Sequence, residues 1–400
     1  MQIQCTNGTP IVNTLDHLPP LPLRVDYSYS NRIILTKQDE LGIYHALQLH
    51  DRVRHIDLYL PPSILHKCLV LMDARFPILA HLSLSFKADK ITTLTLPKAF
   101  LAPNLCRLDI PGIVLPKRLR ALTYTISLVK LVLSNIPASS YLRPRLLVAR
   151  LLSLPQLEEL SIGFSIPIPR PSAETELLGE QGAPITLPNL KILKFKGVCA
   201  YLECLLAQIR VPLLMWLDIT LFNQITFALL HLSHLINITE GLKFPIAEVS
   251  FEPKWVTIFT SRHDWRQLDG PFCLRVKCQQ LDWQIDCAAQ IFGALIPALS
   301  GVTRFRLNFY HKALPTEWEN GEIDGTTWHE LLRPFIGVKE LHICEALLEE
   351  VARALQADEG GLEPGFLPNL QYIIARENRF ASFIYNRQVV SRPVRFLLAA

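Results

Sequence analysis

Several kinds of chemistry are missing from this sequence. It has no glycine-rich phosphate loop, and Gly360-Gly361 beside Asp358-Glu359 reads as a turn after a helix. No Gly-Ser nucleophile elbow accompanies the neighbouring pair His263-Asp264, which leaves a solvated loop as the simpler reading of that pair. Basic residues do not gather into a stripe: 40 Lys and Arg stand against 36 Asp and Glu, net +4, with a pI near 8.5. Nucleic-acid binding is therefore not indicated. No secretory signal opens the chain, and the nine cysteines are odd in number and scattered from Cys5 to Cys344. That usage predicts reduced thiols and a cytoplasmic or nuclear location.

Metal-binding cysteine pairs are also lacking. Cys273-x4-Cys278, with Cys287 farther on, and Cys199-x4-Cys204 suggest metal ligands only loosely, since a structural zinc site wants close pairs two to four apart together with a second pair, so buried free thiols are expected and no metal or cofactor. The most apolar stretch runs from Val211 to Leu235. It contains Asp218 and the polar amides of Phe222-Asn223-Gln224 and carries no basic flank, which predicts a buried strand and helix rather than a membrane span.

What is present is a phrase, apolar-x-x-apolar-x-apolar. Clear copies are Val53, Ile56, Leu58; Leu79, Leu82, Leu84; Leu105, Leu108, Ile110; Leu128, Leu131, Leu133; Leu157, Leu160, Ile162; Leu190, Leu193, Phe195; and Leu214, Leu217, Ile219. Their first positions lie 26, 26, 23, 29, 33 and 24 residues apart, in or just beyond the range of leucine-rich repeats. Looser copies are Ile246, Val249, Phe251; Val302, Phe305, Leu307; Val338, Leu341, Ile343; and Leu370, Ile373, with a degenerate one at Leu274 and Val276. Leu-Pro or Pro-Asn stands at the same offset in Pro103-Asn104, Leu154-Pro155, Leu187-Pro188-Asn189 and Leu367-Pro368-Asn369, which chance matches would not reproduce.

A short strand sends alternate side chains to opposite faces, so the fourth and sixth positions of the phrase enter a core that one strand cannot bury alone. Stacked units give a parallel sheet, and the return segments must cover its buried face. Helical spacing appears at 63–72, 142–154, 200–209, 288–299, 326–336 and 345–355, with Pro62 and Pro144 at helix starts and Thr326-Thr327 as a cap before Trp328. The expected fold is an α/β leucine-rich-repeat-like solenoid, a curved parallel sheet with helices on its convex side. It spans residues 46–400, with irregular insertions near 252–286 and 311–326 and an N-terminal segment at 1–45. The acidic cluster Glu317 to Asp324 belongs to the second insertion.

The strand residues that point away from this core form the candidate protein-binding concave face. They are Arg54, His55, Asp57 and Tyr59; His81; Arg107 and Asp109; Lys130; Glu158 and Glu159; Lys191, Lys194 and Lys196; Trp216 and Asp218; and Arg304. Acidic positions alternate with basic ones, which suits a particular charged protein surface better than a polyanion. Tyr59, Trp216 and Arg304 stand out because aromatics and arginine tend to dominate interface energy.

The wording of the repeats resembles the basidiomycete fungal F-box proteins with a C-terminal leucine-rich-repeat-like region, over nearly the whole chain. The resemblance is carried by Leu21-Pro22-Leu23 leading to Arg52-Val53-Arg54-His55-Ile56-Asp57-Leu58, by Ala102-Pro103-Asn104-Leu105-Cys106-Arg107-Leu108, by Leu154-Pro155-Gln156-Leu157-Glu158-Glu159-Leu160 and by Leu281-Asp282-Trp283-Gln284. The tail from Phe380 to Val394 is similar too. The resemblance implies a non-enzymatic protein that presents a substrate to a cullin-RING ubiquitin ligase. No Leu-Pro-x-Glu helix start precedes Leu21, so the F-box that docks on the ligase adaptor is expected to be missing here, with residues 1–45 a remnant that followed it. A repeat-only scaffold with no ligase link is the alternative, and a hydrolase built in the Glu252 to Asp286 region is a remote one. No nucleic-acid or membrane partner is expected.

Overall fold

The structure is a computed structural model. It describes residues 2–8, 19–29, 35–86, 94–115, 125–167, 183–222, 224, 226–263, 270–278, 281–310, 325–357, 367–376 and 395–399. The protein is mixed α/β, and most of its strands pair in parallel. It divides into two compact units, Met1–Gly197 with Ala207–Leu213, and Val198–Leu206 with Leu214–Ala400.

The first unit contains strands β1 (Ile3–Thr6), β2 (Leu23–Ser28), β3 (Val53–Tyr59), β4 (His81–Ser85), β5 (Leu94–Thr95), β6 (Arg107–Asp109), β7 (Ile113–Val114), β8 (Lys130–Ile136), β9 (Glu159–Phe164), β10 (Ile185–Thr186), β11 (Ile192–Gly197) and β12 (Ile209–Arg210). Its main sheet has the order β1-β2-β3-β4-β6-β8-β9-β11, every neighbour parallel and in chain order. Two short parallel pairs, β5 with β7 and β10 with β12, stand apart from it. Alternation decides what each strand buries. Leu82 and Leu84, Leu108, Leu131 and Leu133, Leu160 and Ile162, and Leu193 and Phe195 are all buried, while the residues between them are mostly partly exposed.

The register repeats with a common irregularity. At the starts of β6, β8, β9 and β11, one carbonyl accepts two N–H groups from the next unit: Ala80 O from Cys106 and Arg107, Cys106 O from Val129 and Lys130, Val129 O from Glu158 and Glu159, and Glu158 O from Lys191 and Ile192. Two consecutive residues thus oppose one, the geometry of a bulge. The same doubling recurs in the second unit at Pro245 O, Thr303 O and Lys339 O.

The Pro-Asn wording has a structural cause. Asn104 Nδ2 donates to Pro77 O (2.6 Å), Asn189 Nδ2 to Pro155 O (3.0 Å) and Asn369 Nδ2 to Ile336 O (2.8 Å). In each case the amide just before a strand's first apolar position reaches the carbonyl two residues ahead of the equivalent position in the preceding copy.

The second unit contains β13 (Trp216–Leu221), β14 (Ile246–Glu252), β15 (Trp255–Ser261), β16 (Phe272–Lys277), β17 (Arg304–Phe309), β18 (Glu340–Cys344), β19 (Tyr372–Arg376) and β20 (Arg395–Ala399), in the order β13-β16-β15-β14-β17-β18-β19-β20. Helices Leu281–Ala294, Gly325–Leu332 and Leu348–Ala357 lie side by side. Phe292, Phe305 and Phe335 cluster in the core, with Phe305 and Phe335 stacked at 4.0 Å. Trp328 is fully buried and meets Phe251 edge-on at 6.0 Å.

Three expectations change. The sheet is not parallel throughout: β14, β15 and β16 pair antiparallel, so the expected irregular region after residue 252 holds two regular strands, and the degenerate Leu274–Val276 copy is β16 beside β13. The copy at Ile246, Val249, Phe251 is displaced by two residues. Ala247 pairs with Phe305 and Val249 with Leu307, which makes Phe244, Ala247, Val249 the true phrase. Finally, residues within 1–45 supply β1, β2 and most of helix Lys37–Gln48 rather than a segment apart. That helix starts in a capping box: Asp39 N–H donates to Thr36 Oγ1 (3.1 Å), Thr36 N–H donates to Asp39 Oδ2 (2.9 Å), and Gly8 N–H adds a bond to Asp39 Oδ1 (2.7 Å). The second expected insertion, with the acidic cluster Glu317 to Asp324, and the Gly360-Gly361 turn lie outside the described residues, although helix Gly325–Leu332 starts at Gly325.

Candidate functional site

Strand register sorts the outward residues of the first unit into rows. One row runs Arg24, His55, His81, Arg107, Lys130, Glu159; the next, two residues on, runs Asp26, Asp57, Ser83, Asp109, Val132, Ser161, Lys194. A row of cations and imidazoles therefore lies beside a row rich in carboxylates, a sorting that the alternation of charges along the sequence does not reveal. Tyr59 and Lys196 lie farther along the same face, both partly exposed. Arg54, Glu158 and Lys191 occupy the doubled position at the strand starts, which is why they and the following residue both escape the core.

Short ion pairs order the far end of these rows. Glu159, its side chain 17% exposed, takes Lys130 at 2.8 Å and Lys194 at 3.6 Å, while Glu158 pairs with Lys191 at 3.0 Å. At the near end Arg24 pairs with Asp26 at 3.0 Å. Such surface pairs are worth about 0–1 kcal/mol each, so they organise the face more than they stabilise the unit. Burial raises the Asp109 carboxyl, opposed by Lys130 and assisted by the charges of Asp57 and Glu159.

Between those ends, the imidazoles of His55 and His81 stack at 4.1 Å with an interplanar angle of 8°. Burial lowers both, and the presence of each neighbouring charge matters: His55 is pushed to about 4 by burial and then by His81, and His81 is lowered by burial against the opposing pull of Asp57. His55 Nε2 is buried and has no hydrogen-bond partner. Asp57 brings a carboxylate to the pair: one ligand atom from each of His55, Asp57 and His81 lies within 4.8 Å of the others.

No family model matches the chain, and no curated protein matches it. Its site must be judged on geometry.

In the second unit the candidates are more engaged. Asp218 pairs with Arg275 at 2.8 Å, and Arg275 also lies 5.9 Å over the Phe259 ring. Arg304 donates to His263 O at 3.2 Å. Trp216 is partly exposed, with its indole N–H buried and lacking an acceptor.

The outward residues Glu248 and Ser250 of β14 and Arg306 of β17 are buried instead of open. Glu248 accepts from Asn308 Nδ2 (2.7 Å), Ser250 Oγ (3.2 Å) and Arg306 Nη1 (3.4 Å). Sequence reasoning passed over this network, although opposite charges at outward positions of two neighbouring copies were a signal for it. Cys199, Cys204, Cys273, Cys278 and Cys287 are all buried, with Cys199 Sγ donating to Ala228 O at 3.0 Å. Burial pushes the Cys273 thiol up to about 12. His263 is exposed, and Asp264 lies outside the described residues. The apolar stretch after Val211 forms β13 and helix Leu230–Ile238, and no helix among the described residues is long and apolar enough to cross a membrane.

Proposed function

We propose that this protein is a non-enzymatic interaction module, a leucine-rich-repeat-like solenoid whose outward strand residues recognise a protein partner. The observation that carries the reading is the pair of charged rows in the first unit, cations and imidazoles beside carboxylates on one face of a parallel sheet. Charges held in fixed register select a partner by complementarity and reject wrong ones by repulsion. Lys194, Lys196, Arg107 and Tyr59 are the residues through which we expect contact, and the doubled strand starts add Arg54, Glu158 and Lys191.

Substrate recognition for a cullin-RING ubiquitin ligase is the specific role that the family resemblance supports, and an F-box ahead of the repeats would supply the adaptor link. Purification from the native cells, with this chain and with a version extended by upstream coding sequence, tests it. The ligase role requires adaptor and cullin with the extended version. A partner set lacking them in both cases leaves the repeat-only scaffold.

A further inference from the structure

The geometry points to a divalent transition-metal site formed by His55, Asp57 and His81, a two-histidine, one-carboxylate set on the outward face of β3 and β4. The placement follows from strand geometry. His55 and Asp57 are two residues apart on β3 and so share a face, while His81 is the register partner of His55 on the adjacent parallel strand. Both backbones are held in a ladder with strands on either side, so the three side chains start from a fixed frame. Among the described residues, this is the one group of three histidine, cysteine or acidic side chains close enough to hold an ion.

One feature of the cluster asks for a ligand. His55 Nε2 is buried with no hydrogen-bond partner, and a buried polar atom left unsatisfied is costly. A bound cation would satisfy it. Two imidazoles and a carboxylate suit zinc, cobalt(II), nickel(II) or iron(II) better than calcium or magnesium, which prefer oxygen.

Binding requires a small rearrangement. Metal–nitrogen bonds of 2.0–2.1 Å in a tetrahedral shell place ligand atoms about 3.3 Å apart, against the present 4.8 Å limit. Stacked rings hold their lone pairs side by side, so the rings must splay about their side-chain torsions to converge on one ion. The nearby cations have acidic neighbours: Arg24 is paired with Asp26 and Lys130 with Glu159, and Asp109 lies two residues from Arg107 on β6. Three protein ligands leave the remaining coordination positions to water. The inference does not depend on the protein-binding reading.

The test is titration of the tag-free, full-length chain with Zn2+ and Co2+, followed by calorimetry and the visible spectrum of the cobalt form. One saturable cation per chain is expected. Outer partners of metal ligands are worth roughly 10–100-fold in affinity, so loss of a direct ligand in His81→Gln or Asp57→Asn should weaken binding by more than about 100-fold. His66→Gln, at an exposed histidine outside the cluster, should bind as the unaltered protein does. X-ray absorption on the zinc form of the unaltered chain needs no substitution and should show two imidazoles, oxygen and no sulfur. Absence of saturable binding up to about 1 mM cation, sulfur in the shell, or undiminished binding by a folded His81→Gln variant would overturn the site.

Discussion

Glu203 shows what a single buried side chain does in this protein. It lies on helix Cys199–Ala207, is 6% exposed, and accepts the N–H groups of His231 (2.7 Å) and Leu232 (3.0 Å) at the start of helix Leu230–Ile238. It thus caps a helix whose preceding residue, Leu229, offers no side-chain acceptor. Truncation in Glu203→Ala should cost about 1–2 kcal/mol in denaturant unfolding. Burial raises its carboxyl above the ordinary range despite those two bonds. A raised folded value means that its contribution is fully present below the unfolded pKa, about 4.3, and is lost as pH rises through the folded one. The stability of Glu203→Gln relative to the unaltered protein should therefore improve between pH 4 and pH 7; a constant difference would contradict the assignment. At Glu248, removal of its partner in Arg306→Leu leaves a carboxylate buried beside Asn308 and Ser250, with an expected loss of about 3–5 kcal/mol. Glu248→Leu combined with Arg306→Leu should recover most of that loss.

At the scale of the element, the repeated strand start is what the sequence announced most clearly. Leucines at fixed spacing named the buried positions, and Pro-Asn marked the turn before β6, β11 and β19. The asparagines act alike: each ties its turn to the preceding copy, so Asn104→Ala, Asn189→Ala and Asn369→Ala should each cost about 0.5–1.5 kcal/mol, measured by thermal unfolding. Gly337 belongs to the same joint. A Cβ there would lie 2.3 Å from Ser300 O, so Gly337→Ala should destabilise by more than any of the asparagine changes. Other features were hidden for physical reasons. In β2 the leading apolar residue, Leu23 opposite Val53, stands two residues before Val25 where the phrase has three, and in β14 the alternating Ala247, Val249 and Phe251 let the phrase fit equally well two residues on. An antiparallel β15 cannot be told from a parallel strand by alternation alone.

For the molecule as a whole, the outward residues were legible one by one, but their rows were not. Neighbours within a strand can be read from the sequence, whereas His81 beside His55 and Glu159 beside Lys130 require strand order and register. The cysteines are a simpler global property. Seven of the nine are buried, leaving Cys106 and Cys344 partly accessible, so a thiol reagent should modify at most two rapidly in the folded protein and all nine after unfolding.

The central claim is that the charged face of the first unit binds a protein, and cross-linked affinity purification tests it most directly. The unaltered chain should be compared with Lys194→Glu combined with Lys196→Glu, and with a control charge reversal at Lys67 on helix Pro62–Leu71, each shown to be folded. The account predicts a partner retained by the unaltered chain and the control, cross-linked to the strand rows, and lost from the double variant. A partner retained equally by all three would contradict it.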